Sequence, residues 1–170
     1  SDYQSPVSIS GWTLSWISII SGTGGITSTT GITLQVPVMF SSWVANAIIP
    51  SGTQIVNNSW TTFDATMINL YTVTITGGLS TWEVSNGAVE FGIPGISLIF
   101  NKPVQISIPV PWYLGSSISV QVRHGGSTVF GTWGLTNNPN ATCTGWTVSD
   151  PSDIATVTAW IATIYTCAAS

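Results

Sequence analysis

Nine side chains in this 170-residue sequence carry formal charge or titrate near neutrality: six carboxylates, two cations and one histidine. His124, the sole histidine, stands before Gly125 and Gly126, where a hairpin turn is expected. A nucleophilic triad would need its imidazole beside an activated serine and an orienting carboxylate. No G-x-S-x-G stretch presents a serine in that way. The carboxylates Asp2, Asp64, Glu83, Glu90, Asp150 and Asp153 are scattered. A glycosidase would need two of them held across a cleft; Glu83 and Glu90 flank a turn at Ser85, Asn86 and Gly87, and their ordinary reading is a solvated hairpin. Asp150 and Asp153 in SDPSD offer oxygens to calcium, but the glycine and terminal glutamate of the familiar calcium loop are missing, and an Asp before Pro151 more often opens a turn. Zinc lacks a ligand set. A Lys–Asn cross-link would require Lys102, a nearby Asn and a buried acid such as Glu90. The sequence therefore reads as a non-enzyme without cofactor or metal.

Two further residue sets bear on function. Cys143 and Cys167 would close a loop of about 25 residues, worth about 3.5 kcal/mol on a chain-entropy account if bonded; the competing reading is two buried thiols. Tryptophan is abundant, with nine at 12, 16, 43, 60, 82, 112, 133, 146 and 160. Trp60, Trp82, Trp112 and Tyr113 fall near expected turns and could form a platform for sugar rings. The competing reading places the tryptophans in the core or at subunit contacts, where Trp is also enriched.

The elements that must position these residues are strands. GITLQVPVMF, INLYTVTITG, AVEFGI, ISLIF, PVQISIPV, SISVQVRHG and ATVTAWIATIYTC are short, rich in β-branched and aromatic residues, and punctuated by Gly, Pro, Asn or Ser. The expected fold is all-β, a two-sheet Ig-like β-sandwich with an extended N-terminal strand arm. The prolines after Pro6 are expected at strand ends, edges or turns. The chain divides into an arm over 1–22, a Gly/Ser/Thr linker over 23–30 and a body over 31–170.

Within the body, GITLQVP, AIIPSGTQI, LYTVTITGG and VEFGIPGISLIFNKPVQISIPVP occur in that order. This resembles the β-sandwich domain of zonula occludens proteins, netrin receptors and ankyrins, with its P-x-G turn at Pro50, Ser51 and Gly52. The later block of that pattern runs from Gly95 through Phe100, Lys102, Pro103, Val104, Ile106 and Ile108 to Pro109, with two extra residues after Gly95 and Ile106 in place of Leu. The second half is similar to modules of exported bacterial surface proteins that carry a related sandwich. These motifs are structural, so the resemblance implies a fold and little chemistry.

Charge narrows the partners. Only 5% of residues are charged, and Lys102 and Arg123 are the sole basic side chains, too few to neutralise a run of phosphates. Nucleic acid and anionic membrane surfaces are excluded as partners, and no apolar run reaches the roughly 18 residues of a spanning helix. A start at Ser1 without Met, together with the cysteine pair, suggests an extracellular or cell-surface protein after removal of a signal segment. Sequons at Asn57 and Asn140 are candidate glycosylation sites on surface loops.

The arm is the sequence's least ordinary part. In GWTLSWISIISGTGG, an extended chain puts Trp12, Leu14, Trp16 and Ile20 on one face and Ile17 and Ile19 on the other. A helical reading, with Ile9, Trp12, Trp16, Ile19 and Ile20 on one face, competes but must accommodate Gly11 and a Ser/Thr/Ile run. As a strand, residues 12–20 span about 30 Å. Burying its six large apolar side chains yields on the order of 10 kcal/mol before ordering costs. A Gly22, Gly24, Gly25 hinge lets such a strand fold back or add to a neighbouring copy's sheet. The expected function is a structural subunit of an extracellular, pilus-like filament, polymerising through a donor strand carrying Val7, Ile9, Trp12, Leu14, Trp16, Ile17, Ile19 and Ile20. Its partners are identical subunits. The alternative is a secreted carbohydrate-binding module with glycan partners.

Overall fold

The computed structural model describes residues 18–19, 26–28, 32–33, 38–42, 45–58, 63–64, 67–75, 85–123 and 131–169. Among them the chain is all-β, without an α-helix. In order, the strands are β1 (Ser18–Ile19), β2 (Ile26–Ser28), β3 (Ile32–Thr33), β4 (Val38–Ser42), β5 (Ala45–Ile49), β6 (Gln54–Asn57), β7 (Phe63–Asp64) and β8 (Asn69–Thr72). There follow β9 (Val89–Gly92), β10 (Leu98–Pro109), β11 (Ser117–Ser119), β12 (Leu135–Thr136), β13 (Cys143–Thr144), β14 (Thr147–Val148), β15 (Ile154–Thr158) and β16 (Ile161–Ala169).

Nine of these form one antiparallel sheet in the order β11-β15-β16-β10-β5-β4, with β12 on β16, and β6 on β10 with β3 beyond it. Its spine is the pairing of β10 with β16, from Leu98 opposite Ala169 to Pro109 opposite Ile161. Each spine strand changes partner along its length. β10 meets β6 through Leu98, Ile99 and Phe100, then β5 through Gln105, Ile106 and Ser107. The change falls where the register with β16 shifts between Ile99 and Val104, a bulge that contains Lys102 and Pro103. The expectation that prolines lie at strand ends, edges or turns is corrected here. Pro103 lies inside the longest strand, because a bulge is the interior site that tolerates a missing N–H.

Alternation explains which face is buried. Ala45, Ala47 and Ile49 of β5, Val104 and Ile106 of β10, Ala155 and Val157 of β15, and Ala162 and Ile164 of β16 all turn inward. They share one apolar cluster with Ile55, Leu98, Phe100, Leu135 and, from outside the large sheet, Ile68, Leu70 and Ile93. Those last three belong to a separate ribbon of β8 and β9, and β8 lies against β4 and β5. Phe91 of the ribbon stacks on Phe100 of the spine, with ring centroids 6.2 Å apart.

The turn at Pro50 forms as its residues dictate. Gly52 takes φ 78°, and Thr53 donates its N–H and hydroxyl to the Pro50 carbonyl at 3.3 and 2.6 Å. The run ATVTAWIATIYTC is two strands rather than one, because Ala159 and Trp160 both take positive φ and reverse the chain between Thr158 and Ile161.

Cys143 and Cys167 are bonded, with Cα atoms 5.6 Å apart. The bond ties the short β13-β14 hairpin to the buried end of β16, beside Gly134. Replacing both cysteines by alanine should lower stability by about 3 kcal/mol, since the closed loop has a sequence separation of 24. Thermal unfolding should register this as a melting temperature lower by about 10 °C.

Candidate functional site

Two turns at one end of the large sheet build the candidate site. The first follows β10, where Tyr113 N–H donates to the Val110 carbonyl at 3.2 Å, closing a turn with Pro111 and Trp112 at its corners. Trp112 takes φ 64° there, in the position that glycine normally fills after a proline. The second is the two-residue connection of β15 to β16, where Ala159 takes φ 50° and Trp160 φ 65°. Positive φ at both central residues is the geometry for which Asn-Gly is the usual sequence. Three residues with side chains thus occupy left-handed backbone, a conformation costing roughly 1–2 kcal/mol for each.

The two strained turns meet. Val110 N–H donates to the Trp160 carbonyl at 2.8 Å, and the indole centroids of Trp112 and Trp160 lie 4.8 Å apart with planes inclined at 53°. Trp112 is 78% exposed, Trp160 45%, and the neighbouring Leu114 91%. Beneath this surface the backbone is held firmly. Val110 is buried, Tyr113 donates its hydroxyl to the Ser117 carbonyl at 2.6 Å, and Val157 N–H donates to the Ser116 carbonyl at 2.8 Å. A third segment closes in at Gly87, where a Cβ would stand 1.9 Å from the Pro109 carbonyl oxygen. Ser85 and Asn86, which precede Gly87, are exposed.

The two tryptophan-bearing segments carry no charge. Residues 104–122 and 154–169 contain no Asp, Glu, Lys, Arg or His. The site presents two partly exposed, mutually contacting indoles.

Of the four expected platform residues, Trp112 is at this site and exposed. Tyr113 is there too, but half-buried with its hydroxyl engaged, so it braces the turn. Trp60 and Trp82 lie outside the described residues. Trp160 was missed. The signal that could have found it is the pair Ala159 and Trp160 between two alternating runs, although neither residue is a usual hairpin-turn former.

The other expected positions are placed as follows. Asn140 is exposed in a turn, its N–H bonded to Asn138 Oδ1 at 2.9 Å. Asn57 is only 6% exposed at the end of β6, opposite Leu98, so the surface-loop expectation does not describe it. The alternation of QIVN continues through Asn57 and draws it into the strand. Asp150 accepts the Thr136 hydroxyl at its carbonyl, Asp153 accepts Ser119 Oγ at 3.2 Å, and the described residues contain no group of three or more potential metal ligands. Glu90 accepts the Tyr71 hydroxyl at 2.5 Å. Lys102 is exposed and donates to the Ser51 carbonyl at 3.3 Å. His124 and Glu83 lie outside the described residues.

Of the arm, Ser18 and Ile19 are described. They form β1, the outer strand of a three-stranded sheet with β2 and β7, with Ile19 opposite Ile26 and Ser18 opposite Thr27. Val7, Ile9, Trp12, Leu14, Trp16, Ile17 and Ile20 lie outside the described residues, as do Gly22, Gly24 and Gly25. In the body, Asn69 of β8 is 2% exposed; its Oδ1 accepts the Leu70 N–H at 2.8 Å, and its Nδ2 has no hydrogen-bond partner.

No protein-family model matches this chain, and no curated protein or solved structure matches it. Among the described residues the protein is all-β, with a disulfide joining Cys143 to Cys167.

If the left-handed turn is strained by its side chains, replacing Ala159 by Asn and Trp160 by Gly should stabilise the hairpin by about 1 kcal/mol despite the loss of an aromatic contact. Gly87→Ala should destabilise by 1 kcal/mol or more, roughly, because the clash is with backbone. Chemical denaturation of the two variants beside the parent checks both signs.

Proposed function

We propose that the chain is a structural subunit of an extracellular filament, assembled by passing the N-terminal arm of one copy into the body of the next. The observation that carries this reading is the pairing of Ser18 and Ile19 as the outer strand of a sheet. The C-terminal end of the arm is strand-forming, which favours the extended over the helical reading. Upstream of it the sequence continues with Trp16, Leu14, Trp12, Ile9 and Val7, apolar at alternate or near-alternate positions.

Because Ser18 and Ile19 are held by their own chain, we assign the inserted strand to residues 7–17 and place the pivot just before Ser18, rather than at Gly22, Gly24 and Gly25. Strand addition supplies both main-chain hydrogen bonds and alternate side-chain pockets. The orphaned, buried Nδ2 of Asn69 supports an acceptor arriving from outside, since leaving such a donor unmet costs about 1–3 kcal/mol. A head-to-tail exchange of this kind is heterologous and yields an open filament unless its rotation closes a ring.

Further features agree with this role. As part of this proposal we read the body as a two-sheet sandwich, a reading supported by the packing of the β8-β9 ribbon against β4 and β5. The disulfide suits an oxidising exterior, and no helix among the described residues is long and apolar enough to cross a membrane. A surface with 5% charged residues has little repulsion between copies. The reading requires no catalysis and no cofactor.

A chain lacking residues 1–17 retains β1 and should bind a synthetic peptide of residues 1–17 saturably, with a raised melting temperature. A peptide carrying Trp12→Asp and Trp16→Asp should bind at least roughly a hundredfold more weakly. Absence of binding by the parent peptide, or equal binding by both, contradicts the assignment.

A further inference from the structure

The geometry points to a binding face for a neutral pyranose ring on Trp112 and Trp160. Two unrelated turns each place a tryptophan at a backbone position that ordinarily takes glycine, and the two rings then touch. Strain of that kind persists where the surroundings over-determine it, and it concentrates at binding sites. Here the surroundings are identifiable: the Val110 to Trp160 hydrogen bond, the Tyr113 to Ser117 hydrogen bond and the close approach of Gly87 to Pro109. The ring faces are consequently fixed before any ligand arrives, which lowers the ordering penalty of binding.

Size and charge select the occupant. Trp112, Trp160 and Leu114 together expose about 450 Å² of side chain, well below the roughly 800 Å² that each partner of a stable protein pair commonly contributes. It does match one or two sugar rings, whose axial C–H groups pack on indole faces while their hydroxyls need polar neighbours. Ser85, Asn86, Ser116, Ser117 and Thr158 are exposed on the converging segments and supply such groups without charge. Residues 104–122 and 154–169 carry no cation to pair with a uronic acid or sulfated sugar, and the charges flanking the Gly87 segment in sequence, Glu83 and Glu90, are acidic, which favours neutral hexoses.

Isothermal titration of the intact chain with cellohexaose, mannohexaose and maltohexaose, beside oligogalacturonate as the charged probe, tests this. At least one neutral hexaose should bind with a millimolar or tighter constant, the oligogalacturonate should not, and Trp112→Ala and Trp160→Gly should each weaken binding roughly tenfold or more. Trp160→Gly relieves backbone strain, so loss of binding with an unchanged or raised melting temperature separates a lost contact from misfolding. The inference is overturned if no neutral hexaose binds up to about 10 mM, or if both variants bind as the parent does. It is equally overturned if the variants alter self-association alone, which would assign the face to a second copy. Both substitutions leave residues 1–17 intact, so the presence or loss of sugar binding leaves the filament reading untouched.

Discussion

The antiparallel pairing of β10 with β16 is the constraint on which the described structure depends. It runs from Leu98 opposite Ala169 to Pro109 opposite Ile161, with one register shift between Ile99 and Val104. β5, β6, β12 and β15 all attach to one of these two strands. The inward residues of both, Val104, Ile106, Ala162 and Ile164, lie at the centre of the apolar cluster. The bulge at Lys102 and Pro103 divides β10 between two neighbours, and the disulfide fixes Cys167 near one end of the spine. At the other end, Pro109 opposite Ile161 delivers two turns to one place, and the aromatic pair follows from that delivery.

A chain this poor in charge keeps its surface wet with hydroxyls and amides. The same economy leaves apolar side chains such as Trp112, Leu114 and Trp160 with no ionic groups in the adjoining segments. In a nearly uncharged protein, shape and strand complementarity must supply what electrostatic steering supplies elsewhere. Arm insertion and aromatic stacking are both interactions of that type.

Much of the fold was legible in the sequence because it rests on local signals. The β-branched and aromatic run ATVTAWIATIYTC announces strand, and Pro50, Ser51 and Gly52 spell their own turn. The cysteine pair was likewise open to inference from the chain alone. What was not legible depends on distant partners. Pro103 reads as a strand boundary until β16 is seen to shift register past it. Asn57 reads as a loop sequon until β10 covers its strand. Trp160 reads as part of one long strand because neither Ala nor Trp announces a left-handed turn. The meeting of Trp160 with Trp112 depends on a pairing across the sheet that no local pattern encodes. The apolar pattern of the arm is plain in the sequence; the proposal that it enters a second copy rests on that pattern.

That destination is tested most directly by electron microscopy of the intact chain beside a chain lacking residues 1–17, prepared at the same concentration. The account predicts filaments from the intact chain and dispersed single particles from the shortened one. Filaments from both, or dispersed particles from both, would contradict it.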